Sequence, residues 1–190
     1  MSIQNKQQTD AHVQAQARTA AAPADKTHEL VITALFVALT YVFTWLINIR
    51  LPLPGSGGLI HLGNIPLLVA AMLYGRKTGA IAGGVGMGLF DLLSGWTLWA
   101  PFTFVIVGFM GWTVGMFAEK QPIHNYRLNY IAAVACALVI KVVGYYLAEI
   151  VITGNWAAPV GSIPGNVLQV TIAGIIVFMI LPAIRRYRKI

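Results

Sequence analysis

Hydrophobic residues run along most of this chain in six long segments, which are separated by short polar, basic or Gly/Pro-containing stretches. A helix needs roughly 20 apolar residues to cross the hydrocarbon core of a bilayer, and several of the segments approach or exceed that length. The pattern predicts an all-α membrane protein, a bundle of six transmembrane helices. The predicted spans are 30–49, 61–74, 78–93, 102–117, 128–152 and 163–184.

The connections between the spans are of two kinds. Three of them, at 51–60, 94–101 and 153–162, hold prolines and glycines, which end helices and favour turns, and the last two of these also hold tryptophans. The other two, at 75–77 and 118–127, are polar and carry basic residues. The second and third spans are short, but short or kinked helices are tolerated where neighbouring helices surround them.

Basic residues predict the orientation of the bundle. Of the thirteen Lys and Arg residues, all but Arg50 and Lys141 fall in the two terminal tails and the two basic connections. Because Lys and Arg are retained on the cytoplasmic side, both termini are expected inside, and the connections rich in Gly, Pro and Trp are expected outside. A molecule recognised by these connections would therefore be met at the outer face.

Composition agrees with this interpretation. The chain is 57% hydrophobic and 10% charged, with a mean hydropathy of +0.72, which is too apolar for a water-soluble domain. We expect a disordered cytoplasmic tail at 1–28, one membrane domain at 29–185 and a basic cytoplasmic tail at 186–190. The net charge of +7 is then topological and does not indicate nucleic-acid binding. The single cysteine, Cys136, excludes an internal disulfide framework.

Three ionisable residues lie within the predicted spans: Asp91, Lys141 and Glu149. Such residues are costly in a membrane unless they are paired or face a wet cavity, so each is a candidate for function. Lys141, Tyr145 and Glu149 recur every four residues and share one helical face. Alternatives remain open, because Lys141 could lock the bundle, Asp91 could bond within the following turn, and Glu149 could be solvated.

Other candidates for a binding site lie near the predicted outer ends of the helices. Paired tryptophans in one tight turn could stack a flat ring, and a few polar groups among apolar walls are typical of small-molecule sites. An interfacial aromatic belt and ordinary hydrogen bonding within the bundle are the alternatives. The candidate substrate-binding residues, besides Asp91, Tyr145 and Glu149, are His61, Asn64, Trp96, Trp99 and Asn166.

Catalysis is not predicted. The sequence has no G-x-x-x-x-G-K-[ST] phosphate loop, no H-E-x-x-H and no G-x-S-x-G motif. No second histidine stands at metal-ligand spacing from His61, so neither a metal site nor a cofactor is expected. Ala34 and Ala38 lie one turn apart on the first span, where small residues allow a close helix contact, either within the bundle or with a partner.

These features resemble the substrate-binding S components of energy-coupling factor (ECF) vitamin transporters. The resemblance rests on the two alanines of the first span, the Pro/Gly-rich first outer loop, and the run GMGLFDLLSGW at 86–96 that continues to APF at 100–102. Within that family the sequence is most similar to the hydroxymethylpyrimidine or pyridoxine branch.

The resemblance implies a subunit that captures a vitamer at its outer face in the plasma membrane of a prokaryote. It also implies partners, namely a transmembrane coupling subunit, contacted through Ala34 and Ala38, and two ABC-type ATPases. Lys141 is expected to order the cavity floor without touching the ligand. A stand-alone proton-coupled secondary transporter, using Asp91, Lys141 and Glu149, is the alternative.

Overall fold

The computed structural model describes residues 26–50 and 59–188 of the 190-residue chain. Most of the predicted N-terminal tail and of the first outer loop therefore lies outside the described residues. By its internal contacts the chain forms two units, Met1–Ile32 and Thr33–Ile190. Of the first unit, the described part is the beginning of one helix; the second unit holds everything discussed below.

Five helices, one 3-10 helix and two short strands make up the described part of the chain. The predicted spans at 102–117, 128–152 and 163–184 each correspond to one helix, slightly longer than expected. The elements are α1 (Lys26–Leu46), β1 (Asn48–Arg50), β2 (Leu59–His61), α2 (Asn64–Leu93), α3 (Ala100–Lys120), α4 (Tyr126–Thr153), η1 (Ala158–Ser162) and α5 (Ile163–Arg188).

The predicted count of six helices is not confirmed, because the second and third predicted spans both belong to α2. This helix is interrupted at Gly75, whose φ of 84° and ψ of −172° are non-helical and favour glycine. A Cβ at Gly79 would meet Ala71, and one at Gly83 would meet Leu67, so the two halves of α2 fold back on one another about Gly75. The basic turn expected at 75–77 coincides with this break.

Four helical segments are long and apolar enough to cross a membrane in the part of the chain that the structure describes: Lys26–Leu46, Ala100–Lys120, Tyr126–Thr153 and Ala158–Tyr187. Much of their outward surface is apolar, as expected for helices that face lipid. This agrees with the membrane protein that the hydrophobic pattern predicts.

The second half of α2 packs against α3 through glycines on both helices. A Cβ at Gly111 would meet the backbone of Gly79, and a Cβ at Gly115 would meet the backbone of Arg76. Small residues at such positions let two helix backbones approach closely, which is how membrane helices gain packing energy without a hydrophobic driving force. The glycines in the second half of α2 recur four residues apart in the sequence, a small-residue spacing that predicts such close packing.

A small antiparallel ribbon is a departure from the all-α prediction. Strands β1 and β2 pair with Asn48 opposite His61 and Arg50 opposite Leu59. The sequence suggested a plain loop from residue 50 to 60, with His61 opening the second helix. Instead α2 begins at Asn64, because the chain first forms backbone pairs in the ribbon and satisfies its polar groups there.

The ends of α4 follow local sequence signals. Asn125 caps its N-terminus, since its Oδ1 accepts hydrogen bonds from the N–H groups of Arg127 (3.0 Å) and Leu128 (3.2 Å). Gly154 ends the helix in the left-handed region with a φ of 65°. These two caps fix the length of the helix that carries Lys141, Tyr145 and Glu149.

Candidate functional site

A polar cavity lies where the tryptophan turn after α2 meets the ribbon and helices α4 and α5. Its empty volume is about 530 Å³, part of which is open to solvent. The walls combine aromatic rings with buried charged and amide side chains. The lining residues are Leu59, His61, Asp91, Trp96, Trp99, Lys141, Tyr145, Glu149, Ser162, Asn166 and Gln169.

The hydroxyl of Thr103 on α3 connects two residues of one cavity wall, Asp91 and Tyr145. Thr103 Oγ1 donates a short hydrogen bond to Asp91 Oδ2 and lies 2.9 Å from the hydroxyl of Tyr145. Asp91 is 9% exposed and belongs to the last turns of α2, whereas Tyr145 belongs to α4. The carboxylate is thus held by α3, and it does not cap the turn that follows it.

The floor of the cavity is an ammonium group surrounded by amides. Lys141 is 1% exposed, and its Nζ donates to Gln169 Oε1 at 2.8 Å and to Asn64 Oδ1 at 3.4 Å. The amide nitrogen of Gln169 donates in turn to the backbone carbonyl of Leu59. This chain of bonds fixes both amides with their oxygens towards Lys141, and it ties α2, α4, α5 and β2 together.

The tryptophan turn between α2 and α3 has a defined backbone. Gly95 takes a φ of 86°, and the N–H of Trp96 then donates to the carbonyl of Asp91 at 2.9 Å. The N–H of Trp99 donates to the carbonyl of Trp96 at 2.8 Å. The two indoles meet edge to face with centroids 6.5 Å apart, and Trp99 lies 6.4 Å from the ring of Tyr145. These rings form a rigid aromatic wall.

His61 completes the cavity from the ribbon. Its Nδ1 accepts a hydrogen bond from the N–H of Gly63 at 3.3 Å. Burial, and secondarily the positive charge of Lys141, lower the pKa of His61 well below its usual value. The ring is therefore neutral at neutral pH, and because Nδ1 accepts, its proton lies on Nε2, which is a donor.

Comparison with known proteins identifies the family of this fold and cavity. Residues 24–186 match the family model described as the S component of the ECF-type riboflavin transporter. The chain belongs to this family of ECF transporter S components. The chain is therefore a non-catalytic, substrate-binding subunit of a transporter.

Two relatives of this S component show how widely the similarity extends. An uncharacterized protein of Pyrococcus woesei is 35% identical over 129 residues, which cover 68% of this chain and 83% of the relative. The thiamine precursor transporter HmpT of Lactococcus lactis subsp. cremoris is 28% identical over 159 residues, which cover 83% of this chain and 88% of the relative.

Solved S components share the fold. A bacterial ECF S component superposes with a TM-score of 0.60 at 17% identity, covering 87% of this chain and 99% of that one. The S component for biotin superposes with a TM-score of 0.61 at 18% identity, covering 88% of this chain and 94% of that one. ThiT from Listeria monocytogenes superposes with a TM-score of 0.58 at 23% identity, covering 84% of this chain and 96% of that one.

In this S component seven of the eight candidate substrate-binding residues line the same cavity. Asn64 is the exception, since it is fully buried behind Lys141 and contacts the cavity through that side chain. Lys141 also lines this cavity, at its floor. Glu149 is 3% exposed, so it is not the solvated residue that one alternative allowed. The seven lining residues are His61, Asp91, Trp96, Trp99, Tyr145, Glu149 and Asn166.

Some residues of the site were not among the candidates. Thr103 follows the APF run by one residue, and nothing in the sequence distinguishes it from other threonines in apolar helices. Ser162 and Leu59 enter the cavity through η1 and the ribbon, which the hydrophobic pattern does not predict. Gln169 lies one turn after Asn166 on the same helical face, so the pattern that made Asn166 a candidate also indicates Gln169 as part of the rim of the site.

Ala34 and Ala38 lie on the exposed side of α1. The opposite side of that helix is buried and carries Thr33, Thr40 and Thr44, and a Cβ at Gly86 of α2 would meet Thr40. The internal contact of α1 is thus made through threonines and not through the two alanines.

Proposed function

We propose that this S component captures a small heteroaromatic vitamer, of the hydroxymethylpyrimidine or pyridoxine kind, at the outer face of the cell membrane. It then delivers the vitamer inward together with a transmembrane coupling subunit and two ATPases. The observation that carries the proposal is the cavity itself, which sets an aromatic wall against buried acceptors and donors. Such a combination suits a flat ring that carries polar substituents.

The chemistry of the walls supports a ring with both donors and acceptors. Asp91 and Glu149 are placed to accept from an amino or hydroxymethyl group. His61 offers an N–H donor to a ring nitrogen or oxygen, whereas Lys141 donates to the amides of Asn64 and Gln169 and so orders the floor of the cavity. The similarity to a thiamine precursor transporter supports the same class of ligand.

The position of the cavity supports uptake from outside. Trp96 and Trp99 follow α2 in one of the connections that the basic residues predict to be outer, and Arg76 lies at the opposite, predicted cytoplasmic turn. Ligand captured at this end must cross the membrane, and accumulating it inside against its concentration gradient requires energy. Because the sequence has no phosphate loop, we assign ATP hydrolysis to the partner ATPases.

The first helix supports a contact with the coupling subunit. Ala34 and Ala38 are exposed and one turn apart, so they offer a shallow surface against which another helix can pack closely. Their exposure favours a contact with another chain over packing within this one.

Ligand titration of the purified chain tests the capture step. We expect hydroxymethylpyrimidine or pyridoxine to bind, with Asp91→Asn and Trp99→Ala each weakening the affinity at least about tenfold, since each removes a charge or a stacking surface. Trp156→Ala is a matched control, because that indole is 72% exposed and outside the cavity. Unchanged affinity in both cavity variants would place the ligand elsewhere.

Reconstituted vesicles test the transport step. With the coupling subunit and ATPases present, uptake should require ATP, and Ala34→Leu with Ala38→Leu should abolish uptake while leaving ligand binding intact. Accumulation by the chain alone, driven by a proton gradient, would favour the secondary transporter instead.

A further inference from the structure

Trp96 stands between the polar cavity and a second cavity, which we call the side chamber. The side chamber has an empty volume of about 700 Å³, again counted with its solvent-open part. It lies between the ends of α1 and α2 and combines aromatic rings with amide and hydroxyl groups. Apart from Trp96, its lining residues are Tyr41, Trp45, Asn48, Phe90, Leu93 and Ser94.

The last turns of α2 face both spaces. Asp91 lines the polar cavity, whereas the preceding residue, Phe90, lines the side chamber. Neighbouring residues on an α-helix point about 100° apart, so one helix end presents a polar surface to one space and an apolar surface to the other. Trp96 continues this dividing wall beyond the end of the helix.

The backbone of Trp96 is fixed on both sides. Its N–H bonds to the carbonyl of Asp91, and its carbonyl accepts from the N–H groups of Trp99 (2.8 Å) and Ala100 (3.3 Å). The indole also meets the ring of Trp99 edge to face. The wall is therefore positioned by the ends of two helices and is not a freely moving loop side chain.

We propose that Trp96 determines which sizes of ligand this S component accepts. With the indole in place, the polar cavity takes one ring. Without it, the polar cavity and the side chamber join into a single site that also takes a ligand with a second ring. Trp45 and Tyr41 would then pack against that second ring, and the side-chain amide of Asn48 would form hydrogen bonds with the polar groups of that ring. This inference rests on the proposed function, because it specifies the size class of the same ligand.

Thiamine is a suitable probe, since it consists of the aminopyrimidine ring joined to a second, thiazolium ring. In titrations of the full chain, wild type should bind hydroxymethylpyrimidine at least about tenfold more tightly than thiamine. Trp96→Ala should lower this preference at least about tenfold by admitting the second ring, whereas the weaker stack on the shared first ring should lower the affinity for both ligands alike. Trp96→Phe, with a smaller ring, should fall between the two and also serves if Trp96→Ala does not fold.

Trp156→Ala is the matched control, because it removes an exposed indole from another connection and should leave the preference unchanged. An unaltered preference in both Trp96 variants would overturn the inference. Equal affinity of wild type for the two ligands would also overturn it, while leaving the capture of a heteroaromatic ring intact.

A measurement without ligand separates this inference from the proposed function. Ser162→Cys, on a Cys136→Ala background, places a thiol in the polar cavity. Trp96→Ala should raise the labelling rate of a bulky maleimide relative to a small methanethiosulfonate, whereas Trp156→Ala should not. If wild type bound neither vitamer, the proposed function would fail, and this ratio alone would decide the role of Trp96: a rise upholds it and an unchanged ratio overturns it.

Discussion

Helix α3 takes part in two interfaces that are built in opposite ways. Towards α2 it presents Gly111 and Gly115, which meet the backbone of that helix directly. Towards α4 it presents Thr103 and Ile106, where a Cβ on Gly144 would meet only the side chain of Ile106. The first interface is closed by backbone against backbone, whereas the second is made by side chains and reaches the polar cavity through Tyr145.

The difference shows how a small membrane protein can combine a rigid frame with a changeable site. Backbone contact through glycines fixes α2 against α3, and Asp91 at the end of α2 is thereby held near Thr103. The cavity side depends on side chains, which can be replaced without moving the helices. Substitutions in the first interface should therefore affect folding, and substitutions in the second should affect the ligand.

The largest effect is expected from Gly111→Ala. The added Cβ would meet the backbone of Gly79 and Ala80, which cannot move independently of the helix. We expect a loss of about 3 kcal/mol or more in the free energy of unfolding, at the upper end for overpacked sites, seen as a lower thermal midpoint and a lower folded yield in detergent.

Gly108→Ala is the control for this prediction. Its Cβ would lie 3.6 Å from the carbonyl oxygen of Ala80, an ordinary contact, and alanine favours the helix by up to about 1 kcal/mol. A similar loss of stability in both variants would contradict close packing as the cause, because alanine at position 108 has room and should stabilise the helix.

The next effect is expected from Lys141→Met, on the cavity side. Methionine keeps much of the length but removes the donor that holds the oxygens of Asn64 and Gln169. Hydrogen bonds to charged groups contribute about 1.5–3 kcal/mol, so vitamer affinity should fall about 10- to 100-fold in a titration. The free energy of unfolding should also fall by about 1–3 kcal/mol, because the buried amide oxygens of Asn64 and Gln169 lose their donor.

Lys120→Met, at the exposed end of α3, provides the control for charge removal and should leave affinity unchanged. If Lys141→Met unfolded the protein and Lys120→Met did not, Lys141 would lock the bundle and would not order the cavity.

A smaller effect on affinity is expected from Thr103→Val, which has nearly the same shape. It removes the hydroxyl between Asp91 and Tyr145, and a typical hydrogen bond contributes about 1 kcal/mol, so affinity should fall about fivefold. Thr113→Val on the same helix is the control. A fall in thermal midpoint without a change in affinity would assign Thr103 to the frame.

The sequence predicted the frame better than the site. Hydrophobic segments and glycine spacing follow directly from the bilayer and from close helix contact, so they predicted the helices and the tight packing. Intramembrane charge identified Asp91, Lys141 and Glu149 as candidates, because such groups are costly there. The ribbon, the joining of two segments in α2 and the bridging role of Thr103 depend on tertiary contacts, which no local pattern encodes.

The smallest effect is expected from Glu119→Gln, at the turn where the glycine interface ends. Glu119 Oε1 accepts from the backbone N–H of Arg76 at 2.8 Å, and Oε2 lies 3.3 Å from Arg76 Nε. Both side chains are 40% exposed, so the ion pair should contribute at most about 1 kcal/mol. Glutamine keeps an oxygen for the backbone bond, and the thermal midpoint should fall slightly, less so in high salt. Vitamer affinity should not change, because the turn lies at the opposite end of α3 from Thr103. A change in affinity would show that the turn at Gly75 and Arg76 is coupled to the cavity through α3. Substitutions in the glycine interface would then affect ligand binding as well as folding.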